Sequence, residues 1–202
     1  MDSERLARTS YHHGALRQAL IDGARDILAE LGHEQFSLNE VARRAGVSTS
    51  APYRHFRDRD ELLEAVAADG YATLYNCLHQ VVLDTSDPAD RLLRLGGAYV
   101  RFAQEHPGLF MTMFRGPGGI PDEVGIKSYE ILQCAVVEAQ RAELVSTGPS
   151  PELLTMSIWA ALHGLSVLSL RQLAARFGMD GPPEELAAGT LSALLGLREP
   201  GT

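Results

Sequence analysis

Apolar side chains recur every three or four residues along nearly the whole of this 202-residue chain. Leu16, Leu20, Ala24 and Ile27 show that spacing near the start, and it returns within residues 62–82. Such a period places the side chains on one face of an α-helix, whereas a half-buried strand alternates at every second residue. No stretch of the sequence alternates over a useful length. The pattern therefore predicts an all-α fold of about nine helices.

Turn and cap signals divide this pattern into separate helices. Gly32 stands where a helix end favours a residue that tolerates positive φ, and later breaks fall where Gly, Pro, Ser and Asp gather. Arg5 and Arg8 precede the first helix, either in a disordered tail or as an arm for a minor groove. The predicted helices cover about 12–31, a short one from 37, 48–56, one from 61, then 88–106, 107–114, 121–145, 152–177 and 183–197.

The segment 37–56 has the layout of a helix-turn-helix. Ser37 and Glu40 form a capping box, in which the hydroxyl takes the Glu40 amide and the carboxylate reaches back to the Ser37 amide. A tight turn centred on Gly46 follows, then Ser48 as the next cap, with Pro52 in the first turn of the next helix. Two short helices joined by such a turn leave the second free to enter a major groove.

The second helix of this motif is too short to bury its many polar side chains. One interpretation is a DNA-reading helix whose far end, with Tyr53, His55, Arg57 and Arg59, meets phosphate. The other is a solvated polar helix in which Tyr53 and Phe56 pack inward. Composition alone leaves the two interpretations about equally good.

Charge divides the chain at the same place. Residues 1–60 hold nine Arg and nine acidic residues, so residues 61–202 carry the whole net charge of -8. We call residues 1–60 the head. A head with no net charge still binds DNA if its arginines cluster on one face. The rival hypothesis is a ligand-binding or adaptor protein whose head has lost DNA binding. The helix-turn-helix layout and the charge division together predict a DNA-binding domain over residues 1–60 and a separate helical body over residues 61–202.

Other functional classes find little support in the sequence. Cys77 and His79 point to different helix faces, and His12 and His13 have no partners at zinc-finger spacing, so we expect neither an enzyme nor a metal or other cofactor. The N-terminus is polar and of mixed charge, unlike a signal peptide, and no apolar run reaches the length of a membrane span. These features favour a cytoplasmic protein.

The run SLNEVARRAGVSTSAPYRHFRDRDELLEAVA resembles the DNA-binding signature of the TetR family of bacterial transcriptional regulators. The resemblance covers about residues 12–67, and the segments 11–14 and 159–164 are similar to a subgroup with a Trp-His-Gly pattern in its body. Pro52 departs from the family's more usual Leu. The resemblance implies that the body over residues 61–202 is a ligand-sensing and dimerisation domain. The resemblance implies that Ser37, Tyr53, His55 and Arg59 contact phosphate, whereas Asn39, Thr49 and Ser50 face base edges. The full predicted DNA-binding set is Ser37, Asn39, Ser48, Thr49, Ser50, Tyr53, Arg54, His55, Arg57 and Arg59.

A single head reads only a few base pairs, so a double-stranded palindromic operator requires a homodimer. Small and apolar residues share faces on the last two long helices, where close approach to a second copy is possible. The alternative, that these faces form an intramolecular core, stays open. The predicted interface residues are Ala160, Gly164, Val167, Leu168, Leu191, Leu194 and Leu195.

The body is rich in aromatic and sulfur-containing side chains, which suit a small, mostly apolar effector of unknown identity. The segment 106–110 looks like the short helix that couples pocket to head in TetR relatives, and the resemblance implies a repressor that its effector releases from DNA. The predicted ligand-binding residues are Phe102, Phe110, Met113, Tyr129, Trp159 and His163.

Overall fold

The computed structural model describes residues 2–115 and 123–196, with side chains from residue 15 onward. Over these ranges it contains nine α-helices, one 3-10 helix and no strand, which confirms the all-α prediction. The helices are α1 Asp2–Leu31, α2 Leu38–Arg44, the 3-10 helix Pro52–Arg54, α3 Arg59–Asp84, α4 Pro88–Glu105, α5 Pro107–Met113, α6 Glu123–Arg141, α7 Pro151–Leu170, α8 Leu173–Arg176 and α9 Pro183–Leu195.

Several helices differ from the predicted ones: the helix predicted over 121–145 is α6, which ends at Arg141, and two other differences have local reasons. The first helix begins at Asp2 instead of near residue 12, since neither Gly nor Pro interrupts the chain before residue 14. The predicted helix over 152–177 is broken in two, because Gln172 takes a left-handed conformation with φ of 55° between α7 and α8. The Gly- and Pro-rich break predicted around 115–125 falls mostly on residues 116–122, outside the described residues.

The chain divides into two compact units. The first comprises Met1–Gly70 with Gly108–Gly119, and the second comprises Tyr71–Pro107 with Ile120–Thr202. These units are defined by packing and not by function, so the boundary of the DNA-binding domain at residue 60 stays a prediction.

The core of the first unit comes from the faces that the helical period marks. Leu20, Ala24 and Ile27 of α1 are fully buried, as are Val41 of α2 and Leu62 of α3. Burial of each Leu, Ile or Val side chain in this set is worth about 1.5–3 kcal/mol. The helix-turn-helix thus packs on a hydrophobic core formed by α1, α2 and α3.

Within the first unit, α5 lies directly against the end of α1. A Cβ atom placed on Gly108 would stand 2.5 Å from the carbonyl oxygen of Leu28, so only glycine permits this approach. His33 continues the contact, with Nε2 3.1 Å from Thr112 Oγ1 and Nδ1 2.7 Å from Arg115. Because the Arg115 guanidinium can only donate, Nδ1 accepts, and Nε2–H donates to Thr112.

The second unit is built around α4, which packs against α6, α7 and α9. Gly96 and Gly97 bring α9 close: a Cβ atom on Gly96 would stand 2.8 Å from Cδ1 of Leu191. The turn before α4 is held by Arg91, whose guanidinium donates to the Thr85 carbonyl at 2.7 and 3.0 Å and pairs with Glu138.

By length and composition alone α7 is apolar enough to cross a membrane, which corrects the expectation that no segment of the sequence reaches that threshold. Only 33% of its apolar window is buried. Within the helix, Thr155 and Ser166 donate their hydroxyls to backbone carbonyls four residues earlier. Leu153, Met156 and Leu168 of α7 are 60%, 47% and 45% exposed, so the single chain leaves part of the apolar surface of this helix uncovered.

Candidate nucleic-acid interface

The first helix of the motif starts as its cap predicts. Ser37 has extended backbone angles, and its hydroxyl accepts the Glu40 amide at 3.2 Å. The Glu40 carboxylate pairs with the Arg43 guanidinium instead of accepting the Ser37 amide. The predicted second hydrogen bond of the capping box is therefore wrong. The hydrogen bond from Arg43 holds the pKa of Glu40 below its usual range. The Ser37 hydroxyl keeps its proton available for an acceptor outside the protein.

The turn of the motif depends on one backbone angle. Gly46 has φ of 68°, a region that side chains disfavour, and nothing lies within 4 Å of its would-be Cβ atom. The Val47 amide donates to the Ala42 carbonyl at 3.0 Å, which closes the end of α2 in a Schellman-type turn. The predicted role of this glycine is confirmed by its geometry.

The segment predicted as a helix over 48–56 is instead a turn followed by the 3-10 helix Pro52–Arg54. Pro52 has no N–H to give to the Ser48 carbonyl, which accepts the Ala51 amide at 2.9 Å instead. The Arg54 and His55 amides likewise bond three residues back. The predicted helix is therefore wrong in type: it is tighter and shorter than a regular recognition helix.

The structure brings most of the predicted DNA contacts to the surface. Tyr53 is 56% exposed although it is a large aromatic residue, and its neighbour Phe56 is buried. Of the two interpretations of the segment, the inward packing of Tyr53 is thus wrong. Also exposed are Ser37, Asn39, Ser48, Thr49, Ser50, Arg54 and Arg57, whereas His55 is half-buried.

Two arginines in the predicted contact set already have partners. Arg59 donates to the His33 carbonyl at 2.8 Å and to the Phe36 carbonyl at 3.2 Å, and its guanidinium lies over the Phe36 ring. It therefore joins the connection between α1 and α2 to the start of α3. Arg57 pairs with Asp58 at 2.9 Å but keeps a side chain that is 81% exposed.

Asp58 is engaged by the helix that it precedes. Its carboxylate accepts the Glu61 amide at 2.9 Å, which is the main reason why the pKa of Asp58 is lowered; the Arg57 hydrogen bond is the second. The charge of Asp58 thus serves to cap α3 as well as to pair with Arg57.

One candidate cation was missed at the sequence level. Arg17 of α1 is exposed, and its guanidinium carbon lies 5.1 Å from the centre of the Phe56 ring. The two residues are far apart in sequence, so no local spacing indicates that they meet. This cation–π contact places a positive charge beside the end of the motif.

Polar aromatic groups meet in the second unit, where part of the predicted ligand set lies. Trp159 Nε1 donates to the Tyr99 hydroxyl at 3.1 Å, and that oxygen lies 3.0 Å from His163 Nδ1. The Tyr129 ring packs edge-on against Trp159. Burial raises the pKa of Tyr99 and lowers that of His163, so both side chains are neutral near pH 7. We call Tyr99, Tyr129, Trp159 and His163 the aromatic cluster.

The other predicted ligand residues lie elsewhere. Phe102 is buried in α4, 5.2 Å from the His106 ring. Phe110 and Met113 belong to the first unit, where both are buried.

The predicted dimer residues fall into two groups. Leu191 is fully buried against Gly96, so it has no side-chain surface to offer a second protomer and belongs to the core. Leu168 and Leu194 are 45% and 44% exposed, and nothing lies within 4 Å of a Cβ atom on Gly164. Ala160 is exposed, and Val167 and Leu195 are partly exposed. Among the described residues, no group of three or more His, Cys, Asp or Glu could hold a metal ion.

A capped helix, a glycine turn and an exposed polar segment have the layout of the helix-turn-helix class of DNA-binding proteins. The family model "Bacterial regulatory proteins, tetR family" matches residues 20–66, and "Tetracyclin repressor-like, C-terminal domain" matches residues 92–194. The chain belongs to the TetR family of DNA-binding transcriptional regulators.

Individual relatives and solved structures are similar to most of the chain. A helix-turn-helix-type transcriptional regulator of Mycobacterium tuberculosis, described as uncharacterised, is 26% identical over 157 residues, which cover 76% of this chain and 70% of the relative. A protein of unknown function from Rhodococcus sp. RHA1 is 34% identical with a TM-score of 0.75, over 94% of this chain and 98% of that one. The regulator FadR from Bacillus subtilis, solved in complex with stearoyl-CoA, shares the fold with a TM-score of 0.71 at 15% identity, over 88% of this chain and 97% of that one.

Proposed function

We propose that the chain is a homodimeric repressor that a small, mostly apolar effector releases from a palindromic operator. One observation supports the proposed DNA contacts above all others: Tyr53 is exposed, and it follows the exposed hydroxyl residues Ser48, Thr49 and Ser50. Small hydroxyl groups discriminate bases weakly, so phosphate contacts supply much of the affinity.

The proposed phosphate contacts are Ser37, Tyr53, Arg54, His55 and Arg57, with Arg17 added from the structure. Arg59 is left out, because its guanidinium already donates to two backbone carbonyls. Asn39, Ser48, Thr49 and Ser50 are the proposed base-facing residues. A regulator of chromosomal DNA acts in the cytoplasm.

Genomic fragments selected on the immobilised protein identify the operator, and fluorescence anisotropy then measures its affinity at several salt concentrations. We expect affinity to fall steeply with salt, and the Tyr53→Ala/Arg54→Ala variant to bind at least about tenfold more weakly. Arg176→Ala, an exposed arginine in the second unit, is the matched control. Unchanged binding by the double variant would refute these contacts.

The dimer proposal follows from the uncovered apolar surface of α7 and α9. Leu168 and Leu194 remain nearly half exposed, and Gly164 has open space around it. We expect Leu168→Glu/Leu194→Glu to be monomeric by light scattering at micromolar concentration. Leu83→Glu alters a leucine that is 66% exposed at the end of α3 and should stay dimeric. A dimer that survives the double substitution would place the interface elsewhere.

The effector proposal rests on the aromatic cluster, which combines apolar rings with a few convergent polar groups. Trp159 is the only tryptophan of the sequence, so its fluorescence reports directly on this site. Because the relative FadR was solved with stearoyl-CoA, long-chain fatty acids and their CoA thioesters are the first probes. An effector should change Trp159 emission and weaken operator binding together. A probe that weakens operator binding without changing Trp159 emission, and that weakens it to the same extent in the Tyr99→Phe variant, would contradict this location of the effector site.

A further inference from the structure

One hydrogen bond shapes the turn between α2 and the 3-10 helix. The Ser48 carbonyl accepts the Ala51 amide at 2.9 Å, so residues 48–51 form a β-turn whose two central residues are Thr49 and Ser50. Both central residues are exposed, whereas Pro52, directly after the turn, is buried. We call residues 48–51 the reading turn. Its tip is the part of the motif that stands out towards a base edge.

The three hydroxyl residues of the reading turn differ in what they present. Ser48 Oγ and Ser50 Oγ lie 3.1 Å apart, so one of these hydroxyls donates to the other. Thr49 lies between them and adds a γ-methyl group, which serine lacks; Ala51 has the other side-chain methyl group of the turn and is only partly exposed. A hydroxyl donates and accepts, so it suits either kind of base edge, whereas a methyl group in the major groove packs against the methyl group of thymine. The most base-selective group of the turn is therefore the γ-methyl group of Thr49.

The cationic side chains that read guanine are poorly represented beside this turn. Guanine is read chiefly by Arg or Lys, which donates to its O6 and N7 atoms. The single lysine of the sequence, Lys127, lies in α6 of the second unit, and the exposed Arg54 is already proposed to contact phosphate. The remaining arginines of the motif have partners in the protein: Arg43 pairs with Glu40, Arg44 with Glu30 and Arg57 with Asp58, and Arg59 donates to two carbonyls. The motif is thus better equipped to read A·T pairs than G·C pairs.

We propose that Thr49 specifies thymine in each half of the operator, by packing its γ-methyl group against the C5-methyl group of that base. Asn39 suits the same kind of base pair: it is exposed at the second residue of α2, and asparagine forms two hydrogen bonds with adenine. This inference rests on the proposed function, which places Thr49 against base edges. It goes beyond that function by naming the base and the contacting group.

Replacement of single thymines by deoxyuridine tests the proposal, because this change removes only the C5-methyl group of the base. A palindromic duplex is first selected from a random-sequence library on the full-length protein, and fluorescence anisotropy then measures affinity at one fixed salt concentration. We expect one thymine position in each half-site at which deoxyuridine weakens binding about fourfold, the effect of burying one methyl group. The change in both half-sites together should weaken binding about tenfold or more.

Two substitutions of Thr49 separate its methyl group from its hydroxyl. Thr49→Val keeps a γ-methyl group, so it should remain as sensitive to deoxyuridine as the unaltered protein. Thr49→Ser keeps the hydroxyl and loses the methyl group, so its affinities for the thymine and deoxyuridine duplexes should differ by less than about twofold. Thr147→Ser, at an exposed threonine of the second unit, is the matched control and should keep the full difference. Far-UV circular dichroism confirms that each variant is folded before the measurement.

Equal affinity for thymine and deoxyuridine at every position of the duplex would overturn this inference, as would a deoxyuridine effect that persists in full in Thr49→Ser. So would losses caused by 7-deazaguanine, which lacks the N7 acceptor, with none caused by deoxyuridine, since base reading would then belong to an arginine. If the Tyr53→Ala/Arg54→Ala variant still loses binding in either case, the proposed function stands without this inference. Failure to select any duplex would overturn both.

Discussion

The contact between α5 and α1 makes a sharp prediction about Gly108. In Gly108→Ala the new Cβ atom would lie 2.5 Å from the Leu28 carbonyl oxygen, 2.6 Å from its carbonyl carbon and 2.8 Å from the Ala29 nitrogen. These are backbone atoms of a helix, so they cannot turn aside as a flexible side chain would. The two helices must separate to admit the methyl group.

The size of the effect follows from that separation. An ordinary contact of this kind is 3.4 Å or longer, so α5 has to retreat by nearly 1 Å. The His33–Thr112 hydrogen bond, 3.1 Å long, would then be lost at about 1 kcal/mol. Overpacking costs a further 1–3 kcal/mol or so, while the better helix propensity of alanine returns less than about 1 kcal/mol. We expect a net loss of about 2–3 kcal/mol.

Thermal unfolding measures this loss directly. For a chain of this size about 1 kcal/mol shifts Tm by roughly 2–4 °C, so Gly108→Ala should lower Tm by about 5–10 °C. Gly189→Ala is the matched control, because nothing lies within 4 Å of its would-be Cβ atom and the residue is inside α9. That variant should gain up to about 1 kcal/mol. An unchanged or raised Tm in Gly108→Ala would refute the close approach of α5 to α1.

Three further substitutions test other contacts. The pKa of His33 is lowered by burial and by the charges of Arg115 and Arg59, so the unfolded chain binds a proton that the folded chain does not. The free energy of unfolding should therefore decrease as the pH falls below about 6.5, and His33→Gln should flatten that slope in urea titrations at pH 5.5 and 7.5; parallel slopes would contradict this. Leu191→Ala should lose about 2–5 kcal/mol in urea unfolding, since its side chain is fully buried over Gly96, and a loss below about 1 kcal/mol would count against that packing. Ser37→Ala should cost about 1 kcal/mol through its lost cap, and a neutral result in the same assay would show that the cap is not needed.

The parts of the fold that sequence predicts are those set by neighbouring residues. The cap at Ser37 and the left-handed Gly46 are encoded within a few positions, and both are found where the pattern puts them. The buried faces of α1 and α2 follow from the helical period in the same way. Such features need no knowledge of which distant segment packs against them.

The recognition segment shows how a visible signal can still be misread. Pro52 suits the first turn of a helix, where its missing N–H costs little, and this supports a regular helix over 48–56. In the structure the preceding residues do not form a regular turn of α-helix, because the carbonyl of Ser48 is satisfied by Ala51 three residues later. Pro52 lacks the N–H that an α-helical bond to Ser48 requires, and its fixed φ is compatible with a 3-10 helix, so the segment forms that tighter helix instead.

The partners of individual arginines are the hardest feature to predict from the sequence, because they depend on which distant residues the fold brings close. Arg57 and Arg59 lie two positions apart in the same polar joint, yet only Arg59 finds two backbone carbonyls within reach. Its partners, the carbonyls of Phe36 and His33, lie in the connection between α1 and α2, more than twenty residues earlier. Arg17 meets Phe56 for the same reason, through the packing of α1 on the motif.

The predicted dimer residues show most clearly what the sequence cannot resolve, since a core and an interface use the same residue types. Leu191 and Leu194 stand one helical turn apart in α9, and both are predicted to face a second copy. Gly96 leaves a hollow on α4 that receives Leu191, whereas Leu194 stays 44% exposed. The helical period cannot separate them, because it records that a position is apolar but not which surface lies opposite. Only the packing of α9 on α4 divides the stripe into a buried half and a half available to a partner, and that division makes Leu168→Glu/Leu194→Glu a test of dimerisation and Leu191→Ala a test of the core.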